Sequence, residues 1–383
     1  MSAQRKTGIA KSQDNLWTFH GGIKLPGHKD MSTQKAISRM PPSDRYIIPL
    51  SQQMGADGEI LVSVGDSVLK GQMLAAPHGL VSAAVHSPVS GKVAAIEPHR
   101  LPHPSGLAGT CIVIDNDHRD QWVERNPIAD DYPNMSSHDL RNVIRDAGIV
   151  GLGGATFPAA VKQTEVGIET LLLNGVECEP YISCDDMLMR ERADGIIKGA
   201  KIIAHIIRAK KCVIAIEDNK PQAIEAVTDA VTRDGADDIE VQTVPTIYPS
   251  GGERQLIKVI TGKEVPVNGL PSDIQVLCHN VATAYAIYKT IYEAEPLMSR
   301  IVTVTGRGVN LPQNLEVDIG TSIHDCIEYC GGYRNDARAL IMGGPMMGLT
   351  LDTDELPVIK ATNCLLITAG IDISLPESEI HMP

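Results

Sequence analysis

The stretch Gly151-Leu152-Gly153-Gly154-Ala155-Thr156-Phe157-Pro158-Ala159-Ala160-Val161-Lys162 constrains this chain more than any other. Its three glycines let the backbone take up positive φ and approach a ligand closely. Pro158 suits the first turn of a helix, where its missing N–H is no loss. A glycine loop emptying into a helix start offers free N–H donors and the positive end of a dipole, which together make an anion site. Lys162 is placed two turns along that helix, within reach of a phosphate. The reading is a phosphate-bearing cofactor at this loop; the alternative is a glycine-rich connection that holds nothing. Aromatic residues are scarce, with two Trp and two Phe, so Phe157 stands out. It packs in the loop or stacks on a planar cofactor.

A chain of 383 residues is long enough for two to four domains. Its net charge of −13 gives no global positive field and argues against nucleic-acid binding. The first fifty residues run the other way, with eight Lys/Arg against three Asp/Glu. Such a basic start either meets a membrane surface or an acidic partner, or is a solvated tail. Nothing in the sequence is apolar for long enough to span a bilayer, and Met1 to Asn15 has no signal-peptide core. None of the eight cysteines forms a CxxC pair, so neither a zinc ribbon nor a cluster-binding run is expected. The Cys178/Cys184 and Cys326/Cys330 pairs are weak metal candidates, and no metal ligand set is assigned.

Along the chain, residues 1–45 form a basic N-terminal segment. Residues 46–115 alternate short apolar runs with Gly, Pro and Asp turns and read as small all-β. Two phrases, Val64-Gly65-Asp66 to Gln72 and His86-Ser87-Pro88 to Val93, resemble the turn pair of biotinyl and lipoyl carriers, a barrel-sandwich hybrid. The hairpin Ala76–Leu80 lacks the lysine that such carriers modify, so a structural use of that fold is expected. Residues 115–135 read as a linker. Ser137 is placed as the cap of a helix from Asp139 to Ala147, stopped by Gly148. Between 136 and 296, strands such as Leu171–Leu173 and Cys212–Ile216 alternate with helices, the pattern of a Rossmann-like parallel sheet. Residues 299–350 read as a small mixed α/β unit, and 351–383 as a C-terminal segment with no closing element.

Polar residues cluster where those strands end. Asn174-Gly175-Val176-Glu177-Cys178-Glu179-Pro180 follows the first strand. Tyr248-Pro249-Ser250-Gly251-Gly252-Glu253 runs into a helix, and His279-Asn280-Val281-Ala282-Thr283 follows Ile274–Cys278. Ligands of parallel sheets sit at such ends. In this order, the glycine loop and the three polar ends resemble the flavin- and NADH-binding subunit of respiratory complex I. The whole layout resembles, over about residues 20–383, the RnfC family of Rnf electron-transport complexes. That resemblance implies an α/β multidomain protein with a barrel-sandwich hybrid, a central Rossmann-like flavin/NADH domain and a β-grasp-like SLBB domain. It further implies a ferredoxin-like domain with two 4Fe-4S clusters, which would begin about where this chain ends.

The same resemblance implies FMN held by Gly151, Gly153, Gly154, Lys162, Asn174, Gly251 and Asn280. NADH would meet Glu177 and Glu179, with Phe157 stacked on a nucleotide ring; Glu253 and Thr283 match with less defined roles. No catalytic acid–base residue is called for, because a flavin exchanges electrons both in pairs and singly. His78, His86 and His279 are then packing or surface residues. The implied function is the peripheral electron-input part of an ion-translocating NADH:ferredoxin oxidoreductase, a translocase complex. It would sit on the cytoplasmic side of the bacterial inner membrane, with the other subunits and NADH as partners. Val176 and Gly252 stand where the complex I proteins carry acids. They leave open a docking protein that has lost its cofactor. A free-standing carbohydrate- or cobalamin-binding protein is the third reading.

Overall fold

A computed structural model describes residues 16–164 and 167–370. After a short strand β1 (Ser38–Arg39), seven strands follow: β2 (Arg45–Pro49), β3 (Glu59–Ile60), β4 (Ser67–Val68), β5 (Met73–Ala76), β6 (Val85–His86), β7 (Gly91–Arg100) and β8 (Ala108–Asn116). They make a four-stranded sheet, β2-β8-β7-β4, and a three-stranded one, β3-β5-β6. Alternation along the strands turns Tyr46, Ile48, Ile112 and Ile114 of the first inward to meet Leu74 and Val85 of the second. The Ala76–Leu80 connection is docked, with Arg145 donating to Gly79 O. It is therefore not a free hairpin of the kind that presents a carried group.

The central unit begins with α1 (Ser137–Asp146). Its cap is Ser136, one residue before the serine expected from the sequence. Ser136 has the extended backbone a cap requires, and its Oγ accepts from Asp139 N. Then come α2 (Ala159–Lys162), β9 (Thr170–Gly175), α3 (Cys184–Ile207), β10 (Lys211–Glu217), α4 (Pro221–Asp234), β11 (Ile239–Val244), α5 (Glu253–Thr261), β12 (Val276–Asn280) and α6 (Val281–Glu293). The four strands are parallel, in the order β11-β10-β9-β12. A parallel sheet must be covered on both faces. Leu171 and Leu173 of β9 meet α3, α4 and α6, while Leu172 faces the other way, toward α5.

One nine-residue helix does not cover that second face, and the N-terminal segment supplies the rest. Leu16 and Phe19 pack beside α5, Trp17 N donates to Val259 O, and Ile23 pairs with Tyr248. From residue 16 onward, the basic segment is thus a strap and not a solvated tail. Residues 1–15 lie outside the described residues.

The last unit is a six-stranded sheet, β1-β14-β13-β17-β15-β16. It contains β13 (Ser299–Thr305), β14 (Gln313–Asp318), β15 (Ala337–Met342), β16 (Leu349–Leu351) and β17 (Cys364–Ala369), and is packed by α7 (Ile323–Tyr329). β17 runs between β13 and β15, so a closing element does exist after residue 351. The sequence conceals it because its apolar residues show no alternation. Leu365 and Ile367 are buried on one face of the sheet, and Cys364 and Leu366 on the other. Lys360 ties the three units together: its buried Nζ donates to Ala84 O (2.7 Å) and Gly148 O (2.8 Å), and its N donates to Gln52. Burial lowers its ammonium to about 7.

Glu217 and Lys220 form a fully buried ion pair at 2.7 Å, and Lys220 also donates to Val176 O. Lys220→Met leaves a buried carboxylate without its cation and should cost about 3–5 kcal/mol in urea unfolding. Adding Glu217→Gln should return most of that loss. A double variant as unstable as the single one would show that charge is not the cause.

Candidate functional site

β9 and β12 are neighbours although α3, β10, α4, β11 and α5 separate them in sequence. The strand order reverses between them, and the carboxyl ends of this pair form the crevice where open α/β sheets bind ligands. Asn174 and Asn280 stand there in register. Asn174 donates from Nδ2 to Gly251 O (2.8 Å) and accepts from Val176 N (3.1 Å). Asn280 caps α6 by accepting from Ala282 N and donates to Asp185 Oδ2 (2.6 Å).

The glycine loop lies against this pair. Val150 bridges Pro158, Gly151 N donates to Phe157 O (2.8 Å), and Thr156 N donates to Gly151 O. Leu152 is pinned from both sides. Its N–H reaches Thr283 Oγ1 at 2.9 Å, and its carbonyl accepts from Arg300 at 3.0 Å. Met54 of the first unit donates to Thr156 O. What remains free is the tip: Gly153, Gly154 and Ala155 are exposed, and none of the described residues accepts from their N–H groups. Gly154 has φ +115°, which an L side chain resists, and a Cβ on Gly153 would lie 3.3 Å from Asn280 Cβ.

The helix behind this loop is not the one expected. α2 is a single turn with Pro158 as its cap, and Lys162 ends it instead of lying two turns along. The loop rests on the first turn of α6, thirteen residues long, through Thr283 and Asn280. Three unclaimed amides beside the start of a long helix suit a phosphate. The residues present therefore fit a phosphate-bearing cofactor such as FMN.

The other expected residues divide between the crevice and its supports. Lys162 pairs with Glu253 at 2.5 Å, both partly exposed. Gly251 needs to be glycine because a Cβ would meet Cys178 Sγ at 2.9 Å. Phe157 is half-buried and joins none of the apolar clusters among the described residues. Thr283 is fully buried and holds the loop, so it does not face a ligand. Glu177 is also turned inward. It accepts from Asp185 N (2.7 Å), Asp186 N (3.3 Å) and Cys184 Sγ, capping α3. The close grouping of Glu177, Cys184 and Asp185 is accounted for by that cap. Glu179 accepts from Met346 N at 3.1 Å, its carboxyl raised by burial, and its Oε1 has no partner among the described residues. His86 and His279 are buried, each lowered to about 3.

Sequence reading missed Lys29, Asp185 and Arg300. Two acids opening α3 are a visible signal for Asp185, but nothing local marks Lys29 or Arg300. Burial, and next to it the Glu177 carboxylate, raises Asp185 to about 7. The ordinary unfolded value is about 4, so this group favours the folded state below that pH, and the contribution is lost as pH rises through 7. Asp185→Asn removes that loss. The variant should therefore gain stability relative to the native chain on going from pH 5 to pH 8. An unchanged difference in paired urea melts at the two pH values would count against the buried carboxyl.

Sequence models match in the same order as the three units. One described as the RnfC barrel sandwich hybrid domain covers residues 17–119, the Nuo51 FMN-binding domain 144–289, and the SLBB domain 301–350. A Serratia proteamaculans protein, the C component of an ion-translocating oxidoreductase complex, is 44% identical over 372 residues, 97% of this chain and 52% of the relative. The protein of the same name from Pseudomonas aeruginosa is 46% identical over 371 residues, 96% of this chain and 47% of the relative. The chain thus spans about half the length of the relatives it matches. A crystal structure of an NAD+-reducing NiFe-hydrogenase shares the fold, with TM-score 0.53 and 20% identity over 64% of this chain and 49% of the other. With these models in this order and such identity along nearly its whole length, the chain belongs to the RnfC family of ion-translocating oxidoreductase complexes.

Proposed function

We propose that this chain binds FMN at the glycine loop and admits NADH beside it, as the electron-input part of an ion-translocating NADH:ferredoxin oxidoreductase. The observation that carries the reading is the set of unclaimed amides at Gly153, Gly154 and Ala155, set on the start of α6 at the sheet's switch point. These amides and Lys162 would hold the phosphate, with Glu253 steering the lysine. Gly151, Asn174, Gly251 and Asn280 would line the flavin's side of the crevice. Glu179 and Phe157, both partly exposed at the crevice, would face the dinucleotide. Glu177 acts behind them by fixing α3.

A bound flavin supplies the exchange between a two-electron donor and one-electron acceptors. The chain's own residues need only orient both rings and keep water out, so no acid–base residue is required. The acceptors would be 4Fe-4S clusters in the part of the relatives beyond this chain. The other subunits of the complex would be its partners at the cytoplasmic face of the inner membrane. Among the described residues no helix is long and apolar enough to cross a membrane, which is compatible with a peripheral position.

The rival is a docking protein without a cofactor. Val176 favours it: where the complex I proteins carry an acid, this side chain is fully buried in an apolar cluster. Titration with FMN followed by NADH separates the two. Quenching of flavin fluorescence on binding, then bleaching of the flavin band by NADH, is expected. A colourless protein indifferent to both would leave only the docking role. Gly154→Ala should weaken FMN binding by roughly tenfold, since a side chain resists that backbone by about 1–2 kcal/mol. An unchanged FMN affinity would remove the loop from the site.

A further inference from the structure

Beyond its pairing with Tyr248, the strap meets the crevice at a second place. Residues 27–32 run along the acidic loop that links β9 to α3. Tyr181 N donates to Gly27 O at 2.7 Å, and the His28 ring stacks on Tyr181 with centroids 4.7 Å apart. Ser32 Oγ meets Ser183 Oγ at 2.7 Å. Between these contacts, Lys29 turns into the protein. Its Nζ donates to three carbonyls of the loop: Glu177 O (2.8 Å), Glu179 O (3.0 Å) and Ile182 O (2.5 Å). The Glu177 carboxylate lies 3.9 Å away.

An ammonium has three protons, and here all three go to backbone oxygens of one loop. For those carbonyls to converge, the peptide planes after residues 177 and 179 must turn toward a common centre. The loop shows the corresponding twist, with Glu177 at φ +52° and Tyr181 at φ +69°. Non-glycine residues hold such angles only where their surroundings enforce them. Burying the cation is unfavourable unless it is fully compensated, so its presence and the loop geometry are tied to each other. The two acids of the loop are thereby sent in different directions. Glu177 caps α3, and Glu179 points to the turn at Met346.

From this arrangement we infer that Lys29 is a positioning residue for the dinucleotide side of the crevice, and that the N-terminal strap is part of the nucleotide site. The inference rests on the FMN/NADH reading above and deepens it. Lys29 does not touch a ligand. It orients Glu179, which would, and its own hydrogen bonds do not reach the glycine loop. It should therefore govern affinity for NADH and not for FMN. Arg39 is the natural control. It anchors the same strap farther on, to Asp318 and Glu316 of β14, without touching the loop.

The test compares the native chain with Lys29→Met and Arg39→Ala. Hydrogen exchange of residues 175–183 without any ligand reads the loop directly, and titrations give the FMN and NADH dissociation constants. In Lys29→Met, loss of protection in 175–183 is expected, with NADH binding weakened by roughly tenfold and FMN binding within about twofold of native. Arg39→Ala should lower the melting temperature and leave both dissociation constants near native. Equal NADH affinity in Lys29→Met and the native chain would overturn the inference. So would an equal loss in Lys29→Met and Arg39→Ala, which would reduce the strap to a scaffold. Failure of the native chain to bind FMN or NADH would instead overturn the functional reading itself. Should Lys29→Met not fold, Lys29→Arg serves: its planar guanidinium cannot meet three converging carbonyls in the same way. The same selective loss of NADH affinity is expected of it, and unchanged binding counts against the inference.

Discussion

Asn174 and Asn280 stand side by side where two parallel strands end, and most of the crevice is measured from them. Each amide binds mainly backbone or a buried acid, so neither is a loose surface group. Asn174 holds the turn that starts α5 through Gly251 O. Asn280 caps α6 and reaches Asp185 at the start of α3. Three helix starts are therefore referred to one pair of residues. The glycine loop is laid across the result by Thr283, which gives it a fixed height above the sheet. Loop amides with no protein acceptor are tolerable because they face solvent or a ligand.

The floor of this crevice holds a concentration of buried charge. Lys29, Lys220, Glu217, Asp185 and Arg300 are each enclosed and each answered by carbonyls, an amide or an opposite charge. Buried ions of this kind add little net stability but penalise any arrangement that breaks them. Here they tie the loop after β9 to the strap and to the loop after β10, and the glycine loop to the strand β13. The parallel sheet, the six-stranded sheet and the N-terminal segment are consequently held in one geometry around the strand ends.

Much of this is legible locally. The parallel sheet follows from apolar runs too short for helices, set between helical periods. The carboxyl-end location of the polar residues follows from that sheet. The double-turn phrase at Val64 to Gln72 points to the first β unit. Errors fall where a residue's role depends on a distant partner. Lys162 reads as part of a longer helix because Ala-Ala-Val-Lys is helix-compatible, yet the fold ends the helix after one turn. Glu177 reads as a ligand contact because acids at strand ends commonly are, yet it caps the next helix. β17 is hidden because burial on both faces erases the alternation that identifies a strand.

By itself, then, the sequence determined which segments bury, where the chain must turn, and that a flexible, donor-rich loop precedes the first central strand. Those are local consequences of side-chain period and glycine freedom. Tertiary structure alone decided that α6 rather than α2 backs that loop, that Asn174 and Asn280 meet across more than a hundred residues, and that a basic leading segment becomes a strap packed beside α5. Each of these depends on strand order and on which face of the sheet lacks cover, and neither property is encoded within one stretch of chain.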